Sequence, residues 1–305
     1  MGLGQRPGGR PPWWRGHWMR VLALGWCLLG ATLAARAGEP AEPPFLVLLV
    51  AAAHLDYGDQ TRLIGQLHKR SQLKQGFMGH SWVYLEGSEG GRRQVYEAGL
   101  SPKGDGATQF IRGVLNLARY GYANPSGAQR ENPRHEPNPI AYLWRDQGNG
   151  YLQPAAEAAL RPTYAARLVL TQAQFRTIRT LMDPNRPEHR RFQLTGRQCS
   201  SFLADVAQVA GVRLEHEVTI EVPPQISVGG ETYRLWTDPK YSRLTLSSPD
   251  VLEVSLKRLV AQGRATEALD WYPHRPRSAS VPTAPTGKAS QAGDPTGPAF
   301  SLGDL

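Results

Sequence analysis

The sequence predicts a single mixed α and β domain, and three observations predict it. Phe45 to Leu55 forms one continuous apolar run, FLVLLVAAAHL, of the kind a buried strand shows. His80 to Gly87 alternates instead, with His80, Trp82 and Tyr84 on one face and Ser81, Val83 and Leu85 on the other. Further on, Thr171 to Met182 and Gln198 to Gly211 carry apolar residues at helical spacing, each with a start or stop signal. The folded unit expected from this punctuation runs from about Phe45 to Tyr272, a single-domain size without internal repeats.

The elements follow in order. Thr61 to Leu73 places Leu63, Ile64, Leu67 and Leu73 on one side of an amphipathic helix. The strand HSWVYLEG leads through the glycine-rich SEGG into RRQVYEAGL, a hairpin partner. Pairing Leu85 with Arg92 in that hairpin sets His80 opposite Glu97. From 101 to about 162 the chain is rich in Gly, Pro, Asn and Tyr and reads as an irregular insertion that covers or shapes a groove. ARLVL is a short strand before a helix capped by Thr171, with Gln174 at capping-box spacing. In QCSSFLADVAQVAG an apolar stripe of Phe202, Val206, Val209 and Ala210 ends at Gly211. VTIEVPPQISV and TYRLWTD read as late strands, and the segment from Ser248 as a helix capped by Ser248 or Asp250.

The ends read differently from the middle. Residues 1–37 hold five arginines and no acidic residue. The apolar run VLALGWCLLGATLAA and the small-x-small sequence Ala35-Arg36-Ala37 complete the pattern of a removable signal peptide. The apolar run is shorter than a bilayer span, so the expectation is a secreted or periplasmic protein with no stable membrane span after leader removal. Trp26 before Cys27 does not suit a lipidation site, and the Trp- and Pro-rich stretch before Met19 makes Met19 an alternative start. Residues 38–44 are a connector, and 273–305 a Pro-, Ser- and Gly-rich tail too poor in apolar residues to fold. Removing five charges from the net +9 leaves +4 over 268 residues, a mild excess that favours an anionic envelope over nucleic acid.

Of the two cysteines, Cys27 falls within the leader, which leaves Cys199 without an intramolecular disulfide partner after export. Cys199 also stands where a helix begins, so unpaired N–H groups and the positive end of the helix dipole favour its thiolate. The same donors would stabilise an oxyanion formed by attack on a carbonyl. His80 is the candidate base, Glu97 the candidate that would hold its tautomer, and Gln198 a candidate oxyanion donor.

Gly79-His80-Ser81-Trp82-Val83-Tyr84, then Val95-Tyr96-Glu97-Ala98, then Cys199-Ser200-Ser201-Phe202 at a helix start resemble the circularly permuted branch of the NlpC-type papain-like superfamily. In that branch His comes first, a polar third residue follows on the next strand, and Cys comes late. The resemblance implies an α+β papain-like fold, an antiparallel sheet packed against the helix that begins at the Cys. It implies Cys199 as nucleophile, His80 as base and Glu97 as orienting residue, in an amidase, peptidase, deacylase or acyltransferase working through a thioester. No cofactor is required. The motifs span some 35 residues, and the long spacer from Gly99 to Gln198 prevents any specificity from being carried over.

The expected substrates are therefore amide or ester bonds of a peptide, an acyl group or a cell-wall peptide. Two other classes compete. A metal site on His54, Asp56, His68 or His80 lacks the close spacing that zinc requires, and no metal is expected. A non-catalytic envelope-binding module on the same scaffold is the stronger alternative, since fold alone does not establish activity.

Overall fold

The computed structural model describes residues 42–59, 62–63, 66–67, 69–70, 78–104, 110, 113–114, 136–155, 161–228 and 231–276. The expected leader, the connector up to residue 41 and the tail beyond 276 lie outside the described residues. The chain divides between Glu42 and Pro43, and the structure described below belongs to the second unit.

Phe45–Ala52 forms β1, all but one of its residues buried, as its unbroken apolar run requires. Gly79–Glu89 (β2) and Arg92–Pro102 (β3) form the hairpin. Gly150–Pro154 is β4 and Tyr164–Val169 is β5. Helix α1 spans Gln172–Leu181 and α2 spans Cys199–Val209. Glu217–Glu221 (β6), Gln225–Val228 (β7), Glu231–Arg234 (β8) and Arg243–Ser247 (β9) follow, then helix α3 at Pro249–Ala261 and the two-residue β10 at Thr266–Glu267. In the expected helix after residue 60, the described residues 62–63, 66–67 and 69–70 are all helical.

The architecture is mixed α and β. One sheet has the order β10-β5-β1-β2-β3-β4, and all its neighbours run antiparallel. The pairs β6-β9 and β7-β8 stand apart from it. Helices α1, α2 and α3 each pack against β2, and α2 also meets β3. Between them lie Leu46, Leu48, Val83, Leu85, Phe202, Leu203 and Leu252, each almost wholly buried. Every such side chain contributes about 1.5–3 kcal/mol when removed from water. The opposite face of the sheet carries Phe45, Val47, Leu49, Trp82 and Tyr84, covered by Ala268 and Tyr272 from the C-terminal segment.

Local signals set the helix ends. Thr171 and Gln174 form the reciprocal capping box of α1, Ser248 caps α3, and Gly211 at φ +87° closes α2. The buried stripe of α2 is Phe202, Leu203, Val206 and Ala207, rotated slightly from the expected one.

Three features differ from the sequence reading. The hairpin register is shifted: Tyr84 pairs with Glu97 and Glu89 with Arg92. The cause is the turn, which uses only Gly90 and Gly91, both at positive φ as a tight hairpin requires, so both strands continue closer to it than a longer loop would allow. The expected irregular insertion contains β4, which adds to the sheet beside β3. Beyond the expected end of the folded unit, Tyr272–His274 forms a short turn and Arg275 pairs with the buried Glu97 carboxylate on β3.

Candidate functional site

Cys199 is the first residue of α2 and is buried, with 9% of its surface exposed. The apolar stripe of α2 clamps the helix onto β2 and β3, which brings its N-terminus to the end of the sheet where β2 begins. There the sulfur lies beside Gln198 Oε1 at 3.3 Å and Ser200 Oγ at 3.8 Å, and His80 and Ser81 of β2 are the groups that bear most on its ionisation. Burial by itself pushes the thiol up. His80 and then Ser81 outweigh it, so the thiol is lowered to about 7. Ser81 is fully buried, and its hydroxyl donates to Ser200 Oγ at 3.4 Å.

Two glycines make this approach possible. Gly79, at φ +84°, passes so close to β1 that a Cβ there would stand 2.3 Å from the Ala51 carbonyl oxygen. Gly99 leaves room for the base: a Cβ there would lie 2.8 Å from His80 Nε2 and 2.7 Å from the Ser81 carbonyl oxygen.

Gln198 is the helix cap and not an oxyanion donor. Its Oε1 accepts the Ser200 N–H at 3.1 Å and the Cys199 thiol at 3.3 Å, while its Nε2 donates to the Ser247 carbonyl. The amide therefore turns its acceptor to the thiol. A donor for an oxyanion remains in the backbone N–H of Cys199, which has no acceptor among the described residues.

Glu97 is also placed differently from expectation. It shares a face with His80, but the shifted register sets it opposite Tyr84, about 13 Å along the ladder from the His80 row. Its carboxylate is buried and accepts the Tyr272 hydroxyl at 2.5 Å and Arg275 Nε at 3.0 Å. Between the two residues stands Trp82, whose ring is stacked on His80 with centroids 5.9 Å apart and whose Nε1 donates to Tyr272 Oη at 3.1 Å. Glu97 thus holds the C-terminal segment and does not touch the imidazole.

The structure brings Cys199 and His80 together, adds Ser81 and Gly99, and leaves Glu97 and Gln198 in supporting positions. A glycine within a strand beside a base is the sequence signal for close approach that points to Gly99; for Ser81 there is only its place next to His80. His54, in the alternative metal set, lies at φ +54° with Nε2 3.3 Å from Glu253, and His68 lies outside the described residues. Among the described residues no three His, Cys, Asp or Glu side chains converge as a metal site, and no helix is long and apolar enough to cross a membrane.

Fold and site together define a mixed α and β protein with a buried thiol at a helix N-terminus, lowered chiefly by His80. Comparison with protein-family models, curated proteins and solved structures finds no match.

Proposed function

We propose that this protein is a cysteine-dependent hydrolase or acyltransferase acting on amide or ester bonds, with a permuted papain-like arrangement of its site. The observation that carries the reading is the place of Cys199, buried as the first residue of α2 where Ser200 Oγ meets Ser81 of β2 at 3.4 Å, in surroundings where His80 and Ser81 lower the thiol despite its burial. The order of His80 before Cys199, with Cys199 heading a helix, supports the resemblance to permuted NlpC-type enzymes.

The Cys199 thiolate attacks the carbonyl carbon and forms a C–S bond, and negative charge moves to the carbonyl oxygen, where the Cys199 N–H receives it. Collapse breaks the bond to the leaving amine or alcohol, which takes the proton held by His80. Water or an acceptor amine then attacks the thioester while His80 removes its proton, and thiolate and product separate. An exported setting makes peptidoglycan peptides and acylated envelope components the first substrates to try.

The test is intact-mass detection of an acyl adduct on Cys199 after mixing with p-nitrophenyl esters and peptide anilides. An adduct that forms in the native protein, slows at least 100-fold in His80→Ala and is absent in Cys199→Ser is expected. Failure of every ester and anilide to acylate Cys199 would overturn the reading.

One observation favours a second reading. Cys199 is almost wholly buried and its S–H points into the Gln198 cap, as a structural thiol in a non-catalytic envelope-binding scaffold would. Such a thiol would resist alkylation across the whole range from pH 6 to 9.

A further inference from the structure

The amide of Gln198 can sit only one way round. The Ser200 N–H can only donate and the Ser247 carbonyl can only accept, so Oε1 faces the first and Nε2 the second. Gln198 is buried, and reversing the amide would leave both backbone groups unpaired away from water.

That orientation turns an acceptor to the nucleophile. The Cys199 thiol donates to Oε1 at 3.3 Å, a bond that exists only while the sulfur carries its proton. Ionisation removes the bond and leaves the negative end of the amide dipole against a negative sulfur. Oε1 also takes up the Ser200 N–H, one of the first-turn donors that would otherwise favour a thiolate at this helix start. The opposite pull comes from β2. Ser81 Oγ donates to Ser200 Oγ at 3.4 Å, which leaves the Ser200 hydroxyl its own hydrogen for Sγ, 3.8 Å away. His80 and Ser81 both favour the thiolate as well. Other charged groups around α2 have partners of their own. Glu97 on β3 takes Tyr272 and Arg275, Arg179 on α1 takes Glu89, and Arg197 takes Asp205. His189 meets the Leu181 carbonyl, and His216 meets Ser247 Oγ at 3.0 Å.

We propose that Gln198 is a positioning residue that acts as a brake on the nucleophile: its Oε1, fixed by Ser200 and Ser247, holds the proton on Cys199 Sγ in the resting site. This deepens the thiol chemistry proposed above and rests on it. The S–H···Oε1 bond must break before the proton passes to His80, which becomes imidazolium while the sulfur keeps the electron pair. The S–H directed into the helix cap is then the resting state of a reactive thiol. Holding the sulfur neutral between turnovers also protects it, because oxidation proceeds through the thiolate.

The experiment measures iodoacetamide alkylation at Cys199 from pH 5 to 10 by peptide mass spectrometry, which separates it from Cys27, in the full chain and in Gln198→Ala and Gln198→Ser. Serine keeps a cap for the helix, since its hydroxyl accepts a first-turn N–H, but removes the amide oxygen from the sulfur. It decides the matter should Gln198→Ala fail to fold. Both variants are expected to move the half-maximal pH downward by at least half a unit and to speed alkylation at pH 6 at least threefold relative to the plateau. A purely structural role gives the other results. Loosening of the helix start would move the midpoint up toward the ordinary thiol value of about 8.5, and easier access alone would raise the plateau without moving the midpoint. Either outcome, with a native midpoint near 7, would overturn the brake and leave the activated thiol intact. A Cys199 that resists alkylation at every pH in all three proteins would overturn the thiol chemistry and the brake together.

Discussion

The Tyr272 hydroxyl donates to the Glu97 carboxylate at 2.5 Å, joining residues 175 positions apart and closing the C-terminal segment over the outer face of the sheet. Arg275 completes the contact with an ion pair at 3.0 Å, and Trp82 reaches Tyr272 from below. Removing the carboxylate leaves a largely buried guanidinium without its partner, a change that costs about 3–5 kcal/mol. Glu97→Ala is therefore expected to lower stability by that order in urea or thermal unfolding. Alkylation of Cys199 in the folded fraction should keep its native pH profile. A changed profile with unchanged stability would return Glu97 to the thiol site.

The reactivity of Cys199 should rise with pH in a way that reports its neighbours. With the thiol lowered to about 7, the alkylation rate is expected to reach half its plateau near pH 7. Loss of His80 removes the largest lowering influence and leaves burial, which acts upward, opposed only by Ser81. The His80→Ala midpoint should therefore move upward from about 7. Rates measured against pH decide it, and a His80→Ala midpoint that stays near 7 would show that His80 does not activate the thiol.

Much of this arrangement is legible in the chain because the signals are local. Thr171 and Gln174 are three residues apart and cap their own helix; Gly211 ends α2 within one turn; the apolar run of β1 is long enough to stand alone. His80 on a strand and Cys199 at a helix start are readable for the same reason. What fails is what depends on distant partners. Moving the hairpin turn onto Gly90 and Gly91 keeps every side chain on its expected face, so alternation gives no warning that Glu97 has moved four residues relative to His80. The five residues of β4 carry no pattern of their own and become a strand only by pairing with β3. Arg275, in a stretch that composition marks as unfolded, is held by the buried Glu97 carboxylate and by the carbonyl and ring of Tyr272.

His189 makes the fold sensitive to acid through the Cys199 helix. It is 1% exposed, lies edge-on to Phe202 of α2, and donates Nε2–H to the Leu181 carbonyl at 2.9 Å. Burial lowers its pKa first, and the nearby Arg197 adds to the effect. The unfolded chain therefore takes up a proton that the folded chain refuses. The stability this group contributes is complete above its unfolded value of about 6.5 and is lost as pH falls toward the lowered folded value. His189→Gln is expected to flatten the fall in melting temperature between pH 7.5 and 5. An unchanged slope would place the acid sensitivity elsewhere.

Gly99 separates the demands of the site from those of the backbone. A methyl group there would meet His80 Nε2 at 2.8 Å, the Ser81 carbonyl oxygen at 2.7 Å and Trp82 Cβ at 2.9 Å. Two of these neighbours are fixed by the β2 strand, so the movable one, the His80 ring, must give way. Gly99→Ala is expected to cost about 1–3 kcal/mol of stability through overpacking and to slow Cys199 alkylation at pH 7 at least tenfold. Gly90→Ala is the matching control. It forces a side chain into φ +58° at about 1–2 kcal/mol, yet a Cβ there meets nothing within 4 Å, so the thiol should keep its rate. Comparable destabilisation with divergent reactivity would locate the effect at His80. Equal rates in the two variants would mean that the ring does not depend on the gap that Gly99 leaves.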